Sequence, residues 1–473
     1  MIDSSVSSGT VFNPSLLTRR DNNRMTVYRN NLDFYQGKQW LSQSRNRQLV
    51  FNYVKASVDK TTSYLMRGFN FACYAGDNSE QSKEKVRRAE QLLLRVYEQN
   101  SLQQLDWETE VDCAVLGDAC YKVTWDSAAK RIRISSPDVS GIYAWWIGDD
   151  VSRVWRVASR YELTDEEIQM LYGLSIPKKK AYITELWTSE VFQLYLDNDL
   201  MQSKPNPYGF IPFIIFPNLR EPKKFWGSSD VALLVEPQRE LNRAMSQLSR
   251  ILELSGNPIA VLENVDSSED IRVQPGALWT LPSDARAYLL DLLQGGGIRL
   301  HIDYIDAIYR TLHDISEMPR AAYGGSGSAL SGTALQIELG SMVQKITRKR
   351  TIRTNSYHQR SDMIFRIAAL YMGQDYSDIT HRIVWGPILP QDVASQSQNE
   401  QLLVQAGVHS RRTAMDELGI QDPDEEFNRW LEERERILEM NQQFGSRTTR
   451  QRSNREAGGE KGASSILSSM VEG

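Results

Sequence analysis

The chain has 473 residues, a formal net charge of −5, 41% hydrophobic residues and 24% charged residues. These values are ordinary for a folded protein of two to four domains, and they argue against a protein that grips nucleic acid over a broad basic surface. Only three cysteines occur, Cys73, Cys113 and Cys120, so we expect no disulfide framework and folding in a reducing compartment. The N-terminus lacks the pattern of a signal peptide, and no run of 18 apolar residues predicts a membrane span.

The first half of the chain predicts helices followed by strands. Residues 1–20 are Ser-rich and without periodicity, so we expect the N-terminus, up to about residue 24, to be disordered. Helical periodicity covers residues 21–66 and 82–116, with breaks near Gly37 and at Asn100-Ser101. From residue 117 the pattern changes to the alternation of strands, interrupted by a short helix over 164–172. Strands are predicted at 119–125, 131–135, 151–161, 181–187, 191–196 and 210–216, which favours a small antiparallel sheet or barrel.

The second half predicts a helical hairpin, a glycine-rich loop and a long helix. A helix over 229–255, divided at Pro237, precedes a mixed segment with strands near 258–263, 270–274 and 277–281. Another helix covers 298–317, and residues 324–332 read GGSGSALSG, a flexible composition. A helix of about 38 residues over 334–371 would be about 55–60 Å long if unbroken. Three short helices are predicted over 395–440, and residues 441–473 are polar and predicted to be disordered.

The helix over 298–317 has two different faces. Apolar residues occupy one of them, namely Ile298, Ile302, Ile305, Tyr309 and Leu312. Charged residues occupy the other, namely Asp303, Asp306, Arg310, Asp314 and Glu317. The apolar face could pack on the stripe formed by Leu234, Leu241, Met245, Leu248 and Leu252 within one chain, or on a neighbouring copy. The acidic face would repel phosphate, or would simply be a solvated helix face.

The densest basic patch lies on the long helix. It consists of Lys345, Arg348, Lys349, Arg350 and Arg353. We interpret their spacing as surrounding the helix, with contacts to DNA phosphates or to the acidic face of a neighbouring subunit. The arginines of the C-terminal tail are a second basic segment that could touch DNA or scaffold.

Sequence motifs of common enzymes are missing. The chain contains no GxxxxGK[ST], HExxH, GxSxG or CxxC pattern, and its five histidines are not spaced as metal ligands. We therefore predict no catalytic residues, no cofactor and no metal.

Several short segments, taken in order, resemble the portal (head-to-tail connector) proteins of tailed bacteriophages. The similar segments are Phe34–Trp40, Asn52–Val54, Asn206–Pro212, Leu241–Pro258, Ile315–Pro319, Gly332–Ala334, Trp385–Pro390, Ala406–Ser410 and Pro423–Glu426. No single segment is decisive, and the order of all of them over about 400 residues carries the resemblance.

The resemblance implies an α+β, mainly helical fold with an elongated subunit. It implies a wing over 25–227 with an SH3-like β-subdomain near 117–218, stem helices over 228–257 and 297–318, and a small α/β clip over 258–296. A tunnel loop over 319–332, a tunnel helix and wing over 333–394 and a crown over 395–440 would follow.

The resemblance also implies sites and partners. The residues expected to face DNA are Gly324, Gly325, Ser326, Gly327, Ser328, Ala329, Leu330, Ser331 and Gly332 in the loop, together with the acidic stem face. A docking surface on the clip would include Asp266, Asp270, Arg272, Gln274 and Asp284. The expected partners are further copies in a ring of probable dodecamer type, double-stranded DNA, the terminase large subunit, head-completion or adaptor proteins, scaffold and the major capsid protein. Such a protein is assembled in the host cytoplasm and ends at one vertex of the virion.

Two alternatives stay open from the sequence. The chain could be a connector or scaffold ring that never holds DNA. Less favoured is a DNA-processing enzyme with a degenerate active site.

Overall fold

A computed structural model describes residues 12–40, 48–77, 79–256, 259–264, 284–290, 297–324, 332–389, 393–420, 423 and 426–437. The chain divides into two compact units, Met1–Ile388 and Leu389–Gly473.

The N-terminal part of the first unit is helical. A 3-10 turn over Pro14–Leu16 leads into α1 (Leu17–Arg20) and α2 (Asn22–Tyr35), and α3 spans Tyr53–Leu65. The prediction of disorder up to residue 24 is therefore wrong for residues 14–24. The reason is apolar burial, because Leu17 is buried and the Phe12 ring lies 5.4 Å from the Tyr195 ring.

Two helices follow a short strand, as the periodicity predicts. After β1 (Phe69–Tyr74) come α4 (Glu80–Gln99) and α5 (Leu102–Leu116), with the break at Asn100 and Ser101. Ser101 is in the left-handed region, with φ of 50°, and its side chain makes no capping hydrogen bond. The Asn100 side chain instead donates to the carbonyls of Val96 and Ile132 and thereby joins α4 to the next sheet.

All strands of the middle region pair antiparallel in two sheets. A three-stranded sheet has the order β3-β2-β9, formed by β2 (Asp118–Asp126), β3 (Arg131–Ser135) and β9 (Phe213–Pro217). A five-stranded sheet contains β4 (Ile142–Ile147), β5 (Asp150–Thr164), β6 (Lys180–Thr188), β7 (Val191–Leu196) and β8 (Asp199–Pro205) in sequential order. Between β5 and β6, α6 (Asp165–Tyr172) begins with a capping box made by Thr164 and Glu167. The antiparallel prediction is confirmed, and the SH3-like assignment stays a prediction.

A helical hairpin leaves and re-enters this body. It consists of α7 (Val235–Gly256), β10 (Ile259–Glu263), β11 (Arg286–Leu290) and α8 (Gly297–Ser316), with Val261 opposite Tyr288 in the antiparallel strand pair. Pro237 lies in the first turn of α7 and does not divide it, because a first-turn residue needs no backbone donor. The predicted strands near 270–274 and 277–281 lie outside the described residues.

The long helix is present with one interruption. It consists of α9 (Gly332–Glu338) and α10 (Gly340–Met372), separated by a turn at Leu339. The Leu339 amide donates to the Leu335 carbonyl, and the Val343 amide donates to the Leu339 carbonyl, so helical spacing continues across the turn. After α10, β12 (Thr380–Trp385) pairs antiparallel with β1, and Phe69 lies opposite Trp385.

Four hydrophobic clusters lie among the described residues of the first unit, and the smallest of them joins Leu17 to the five-stranded sheet. One joins α4, α5, the three-stranded sheet and α10. A second joins α3 and the end of α5 to the roots of α7 and α8. A third lies between the five-stranded sheet and α2. The α7–α8 hairpin is thus anchored at its root in the body's own core.

The second unit is helical. Its elements are α11 (Val393–Gln405), α12 (Arg411–Glu417) and a helical stretch over 426–437. Ser410 caps α12 by accepting from the Thr413 amide, and the Arg411 guanidinium lies 4.2 Å from the centre of the Trp430 ring. The prediction of three short helices over 395–440 is confirmed within the described residues.

Candidate functional site

The candidate site is the hairpin of α7 and α8, together with the junction where α8 passes into the glycine-rich segment. The two helices pack side by side at their root through Leu241 and Ala244 of α7 and Ile308 and Leu312 of α8. The chain turns back through β10 and β11, so the helices run in opposite directions. The sequence left open whether the two apolar stripes pack on each other within one chain or on a neighbouring copy. At the root of the hairpin they pack within one chain.

Further from the body the same stripes are exposed. Ile302 on α8 is 51% exposed, and Leu252 on α7 is 52% exposed. Tyr304 is also exposed, although its hydroxyl donates to Glu240 Oε1 at 2.8 Å. The outer half of the hairpin therefore keeps apolar surface that this chain does not cover with its described residues.

The charged residues of α8 form one row on the side away from α7. Their spacing of three and four residues keeps the row on one face of the helix. Asp303 and Asp314 are exposed, and Asp306 is bonded to Arg310 one turn further on. The last member of the row, Glu317, pairs with the long helix instead of facing free solvent.

Two basic residues of α10 form hydrogen bonds with the end of α8. Both oxygens of Glu317 accept from Arg348 Nη2, at 2.6 and 2.7 Å. One turn earlier on α10, Lys345 Nζ donates to the Ser316 carbonyl at 2.9 Å. Glu317 has φ of 54°, so a non-glycine residue takes the left-handed conformation that ends the helix. These bonds fix the point from which the chain enters the glycine-rich segment.

Four of the five basic residues predicted to touch DNA or a neighbour are buried within the chain. The exposed fractions are 4% for Lys345, 0% for Lys349, 8% for Arg350 and 1% for Arg353. This prediction is wrong for those four residues, and Arg348 is exposed but paired with Glu317. The interpretation of the spacing is also wrong, because Lys345, Lys349 and Arg353 follow one another at intervals of four residues and share a face of α10.

That face meets carboxylates from two other segments. Lys349 Nζ lies 2.6 Å from Asp230 Oδ2, just before α7. Arg353 donates from Nε and Nη2 to the two oxygens of Glu110 on α5, at 2.7 and 2.8 Å. Buried charges persist only when paired and hydrogen-bonded, and these pairs satisfy that condition.

The network extends along α10 in both directions. Arg353 Nη1 also donates to the carbonyls of Pro217 and Asn218, each at 2.9 Å. Arg360 donates to both oxygens of Asp106, at 2.6 and 2.9 Å. Arg350 donates to backbone carbonyls, among them that of Gly386 at 2.6 Å. The long helix is thus a buried strut joined to α5, to β9 and to the segment before α7.

Sequence reasoning missed the acidic half of this network. Its members are Asp106, Glu110 and Asp230. A signal was present, because Asp106 and Glu110 are four residues apart and share a face of α5, and their partners Arg360 and Arg353 are seven residues apart and share a face of α10. Only the packing of α5 against α10 shows that the two patterns belong together.

Charge pairing decides the direction in which the pKa of Asp230 shifts, whereas burial decides it for Lys345 and Arg350. Burial alone would raise the pKa of Asp230, but Lys345 and Lys349 beside it hold that pKa well below its usual range. Burial lowers the pKa of Lys345, although Asp230 partly opposes the shift. Burial likewise lowers the pKa of Arg350 to about 10.

The glycine-rich segment is described only at its ends. Gly324 closes a 3-10 turn with φ of 85°, and Gly332 begins α9. The predicted DNA-facing residues between them, 325–331, lie outside the described residues. Of the predicted clip residues, Asp266, Asp270, Arg272 and Gln274 also lie outside, whereas Asp284 is exposed and its carbonyl accepts from Asn264 Nδ2 at 3.3 Å.

The described residues thus form an α+β body from which a long helical hairpin extends, and the buried helix α10 follows the glycine-rich segment in the chain. A family model described as "Phage portal protein, SPP1 Gp6-like" matches residues 15–440. The chain belongs to this family of phage portal proteins. No curated protein matches the chain.

Family membership has consequences for assembly. It implies self-assembly into a ring, contact with capsid and packaging components, and a place in the virion capsid. Portal proteins are structural components. In the part of the chain that the structure describes, no group of three or more His, Cys, Asp or Glu residues is placed to hold a metal ion. None of the described helices is both long enough and apolar enough to cross a membrane.

Proposed function

We propose that this chain forms a homo-oligomeric ring, a dodecamer, at one vertex of a phage capsid, and that double-stranded DNA passes through the ring during packaging and ejection. One observation carries the proposal: the α7–α8 hairpin, the glycine-rich segment and the α9–α10 strut follow one another in a member of the portal family. The hairpin is the stem of each subunit, and the segment over 324–332 is the loop that faces DNA.

The loop composition supports this role. Residues 324–332 carry four glycines, three serines and no charge. The hydrogen-bonding groups of this composition are those of the backbone and the serine hydroxyls, which suit contact that ignores base sequence. The bonds of Lys345 and Arg348 to the end of α8 support it further, because they hold the start of this segment against a helix buried in the body.

The partners follow from the same assignment. The clip, including Asp284, is proposed to dock the terminase large subunit during packaging and the head-completion or adaptor proteins afterwards. The wing is proposed to contact scaffold and the major capsid protein. No ATP hydrolysis is assigned to this chain, so a separate motor would supply the energy for packaging.

Electron microscopy of the purified full chain tests ring formation. We expect closed rings with a central opening, viewed both along and across the axis. A sample containing only monomers and dimers at high concentration would contradict the proposal.

DNA contact needs a separate test, because a connector ring without DNA would give the same images. A photo-cross-linking amino acid at Ser328 should form adducts with DNA in filled capsids. The matched control places the same amino acid at Glu84, an exposed position on α4. Equal adduct formation at both positions, or none at Ser328, would remove the DNA-facing role of the loop.

A further inference from the structure

An arginine without a carboxylate partner lies on the five-stranded sheet. No nitrogen of the Arg156 guanidinium group, on β5, forms a hydrogen bond or an ion pair with a residue that the structure describes. Its Nε is buried, but the residue as a whole is only half-buried, so Nη1 and Nη2 are the nitrogens that meet solvent. A guanidinium group carries five N–H donors, and this one has donors left for a ligand.

Three aromatic rings hold this guanidinium group. Its central carbon lies 4.1 Å from the centre of the Trp145 ring, 4.5 Å from that of Trp155 and 5.6 Å from that of Phe12. Aromatic faces attract a cation and fix its orientation, but they do not neutralise its charge. The rings therefore hold Arg156 in one place and leave its charge uncompensated.

A β-bulge lies at the same position of the sheet. Trp145 is opposite Arg156, and Trp146 is opposite Val154, so Trp155 is the extra residue of β5. Consecutive side chains of a regular strand point to opposite faces, whereas a bulge re-aims them. The bulge accounts for the contact between the consecutive residues Trp155 and Arg156.

A second arginine brings positive charge to the same ring. The guanidinium carbon of Arg20, at the end of α1, lies 4.5 Å from the centre of the Trp145 ring. Asp21 lies 3.9 Å from Arg20 Nε, but its other oxygen is bonded to Arg24 at 2.9 Å. One carboxylate thus serves two arginines of the N-terminal helices, and none serves Arg156.

The surroundings of Arg156 are unfavourable for a cation. Burial lowers its pKa, and the neighbouring Arg20 lowers it further, while no carboxylate among the described residues opposes the shift. The acidic residues of the same strand hairpin, Asp149 and Asp150, are in its turn. Asp150 is six residues from Arg156, which is about 20 Å along an extended strand. An anion bound here would relieve a repulsion that the chain leaves in place.

The chemistry of the site fits a protein carboxylate. Guanidinium groups bind carboxylates and phosphates through charge-assisted hydrogen bonds. Duplex DNA gains its affinity from many phosphate contacts along its length. Here there are two arginines beside exposed apolar side chains, since Ile147 is 47% exposed and Trp155 is 44% exposed. Arginine and tryptophan beside apolar surface are typical of protein–protein contacts, so an acidic segment of a protein fits better than DNA.

We propose that Arg20 and Arg156, together with the ring of Trp145, form a docking site for an acidic segment of a partner protein. The inference deepens the proposed contact of the wing with scaffold and the major capsid protein, and it rests on that proposal for the class of partner. In an extended segment, alternate side chains lie on one face about 7 Å apart. Acidic residues at alternate positions can therefore offer carboxylates to both arginines.

A peptide of defined composition tests the site on the full chain. The probe is a fluorescein-labelled octapeptide of alternating glutamate and serine, and binding is measured by fluorescence anisotropy. We expect binding that weakens as salt is added, and none for the same peptide with glutamine in place of glutamate. Arg156→Gln and Arg20→Gln should each raise the dissociation constant at least tenfold, because each removes one charge-assisted interaction.

Matched variants separate this site from general positive charge. Arg19→Gln removes the preceding exposed arginine of α1, and Arg133→Gln removes an exposed arginine of β3, so both should bind the peptide like the wild type. Equal weakening in these controls would overturn the inference, as would unchanged binding by Arg156→Gln. If Arg156→Gln also lowers the thermal midpoint, the exposed Arg20→Gln decides instead. Duplex DNA that binds through Arg156 more tightly than the peptide would show a phosphate site and contradict the proposal.

Electron microscopy of the same samples keeps the two proposals apart. If the wild-type chain forms no rings but binds the peptide through Arg156, the proposed function fails and the docking site stands. If rings form and the glutamate peptide does not bind, only the docking site fails.

Discussion

Removal of Arg353 should destabilise the body strongly, because this residue is buried and joins three segments. Its side chain is 1% exposed, and that of Glu110 is 2% exposed. Arg353→Met keeps most of the side-chain volume and removes the two bonds to Glu110 and the two bonds to the carbonyls of Pro217 and Asn218. Glu110 is then left with Lys349 Nζ, at 3.5 Å.

Breaking a buried pair by removing one partner costs about 3–5 kcal/mol, and Lys349 compensates the remaining Glu110 charge only in part because it also pairs with Asp230. We expect that loss in the free energy of unfolding for Arg353→Met. The double variant with Glu110→Met removes both charges, so its cost should be smaller than the sum of the two single costs by about 2 kcal/mol.

Urea unfolding at one fixed protein concentration, followed by tryptophan fluorescence, measures these costs. Arg348→Met is the matched control, because it removes an exposed ion pair on the same helix and should cost less than about 1 kcal/mol. If Arg353→Met lowers the free energy of unfolding no more than this control does, the pairing of α10 with α5 does not stabilise the body as its geometry indicates.

Three further predictions concern single positions. Burial raises the pKa of Asp118 to about 6, so the folded state keeps a proton that the unfolded state releases, and stability should fall by up to about 3 kcal/mol between pH 4 and 6. Asp118→Asn should remove that fall. If the urea midpoint changes equally with pH in the wild type and in this variant, the prediction is wrong. Glu317→Gly should be more stable than Glu317→Ala by about 1 kcal/mol in urea unfolding, because both lose the Arg348 pair but only glycine relieves the positive φ; equal midpoints would refute this. A Cβ at Gly227 would lie 2.6 Å from the Gly117 carbonyl, so Gly227→Ala should lower the thermal midpoint by the equivalent of about 2 kcal/mol, whereas Gly76→Ala, in open space, should stay near the wild type.

Much of the element order could be predicted because it depends on local patterns. The helical periodicity of α4 and α5, the alternation in β2 and β3 and the two stem helices are each visible in a window of 10 to 20 residues. The family resemblance was confirmed for the same reason, since it rests on the order of short segments along the chain. The 3-10 turn and α1, over residues 14–20, escaped prediction because Leu17 is buried in a cluster with residues of the distant five-stranded sheet, among them Tyr143 and Tyr195, and no periodic pattern marks this segment.

The candidate site, like the fold, could be predicted only where it depends on local sequence. From the sequence alone, the acidic row of α8 and the glycine-rich segment could be identified, because the spacing of residues on one helix and the composition of one segment are local properties. The basic residues of α10 could not be assigned, because a lysine or arginine looks the same in a sequence whether it meets solvent or a buried carboxylate.

The sequence by itself thus determined much of the order of helices and strands, the two helices of the hairpin and the family. Tertiary structure decided which charges are interior: it placed Arg353 against Glu110, 243 residues away along the chain, and left Asp303 exposed. It also decided that β1 pairs with β12, more than 300 residues apart. The physical reason is common to both, because the free energy of a buried charge or an edge strand depends on the partner that folding brings beside it, and no local pattern specifies that partner.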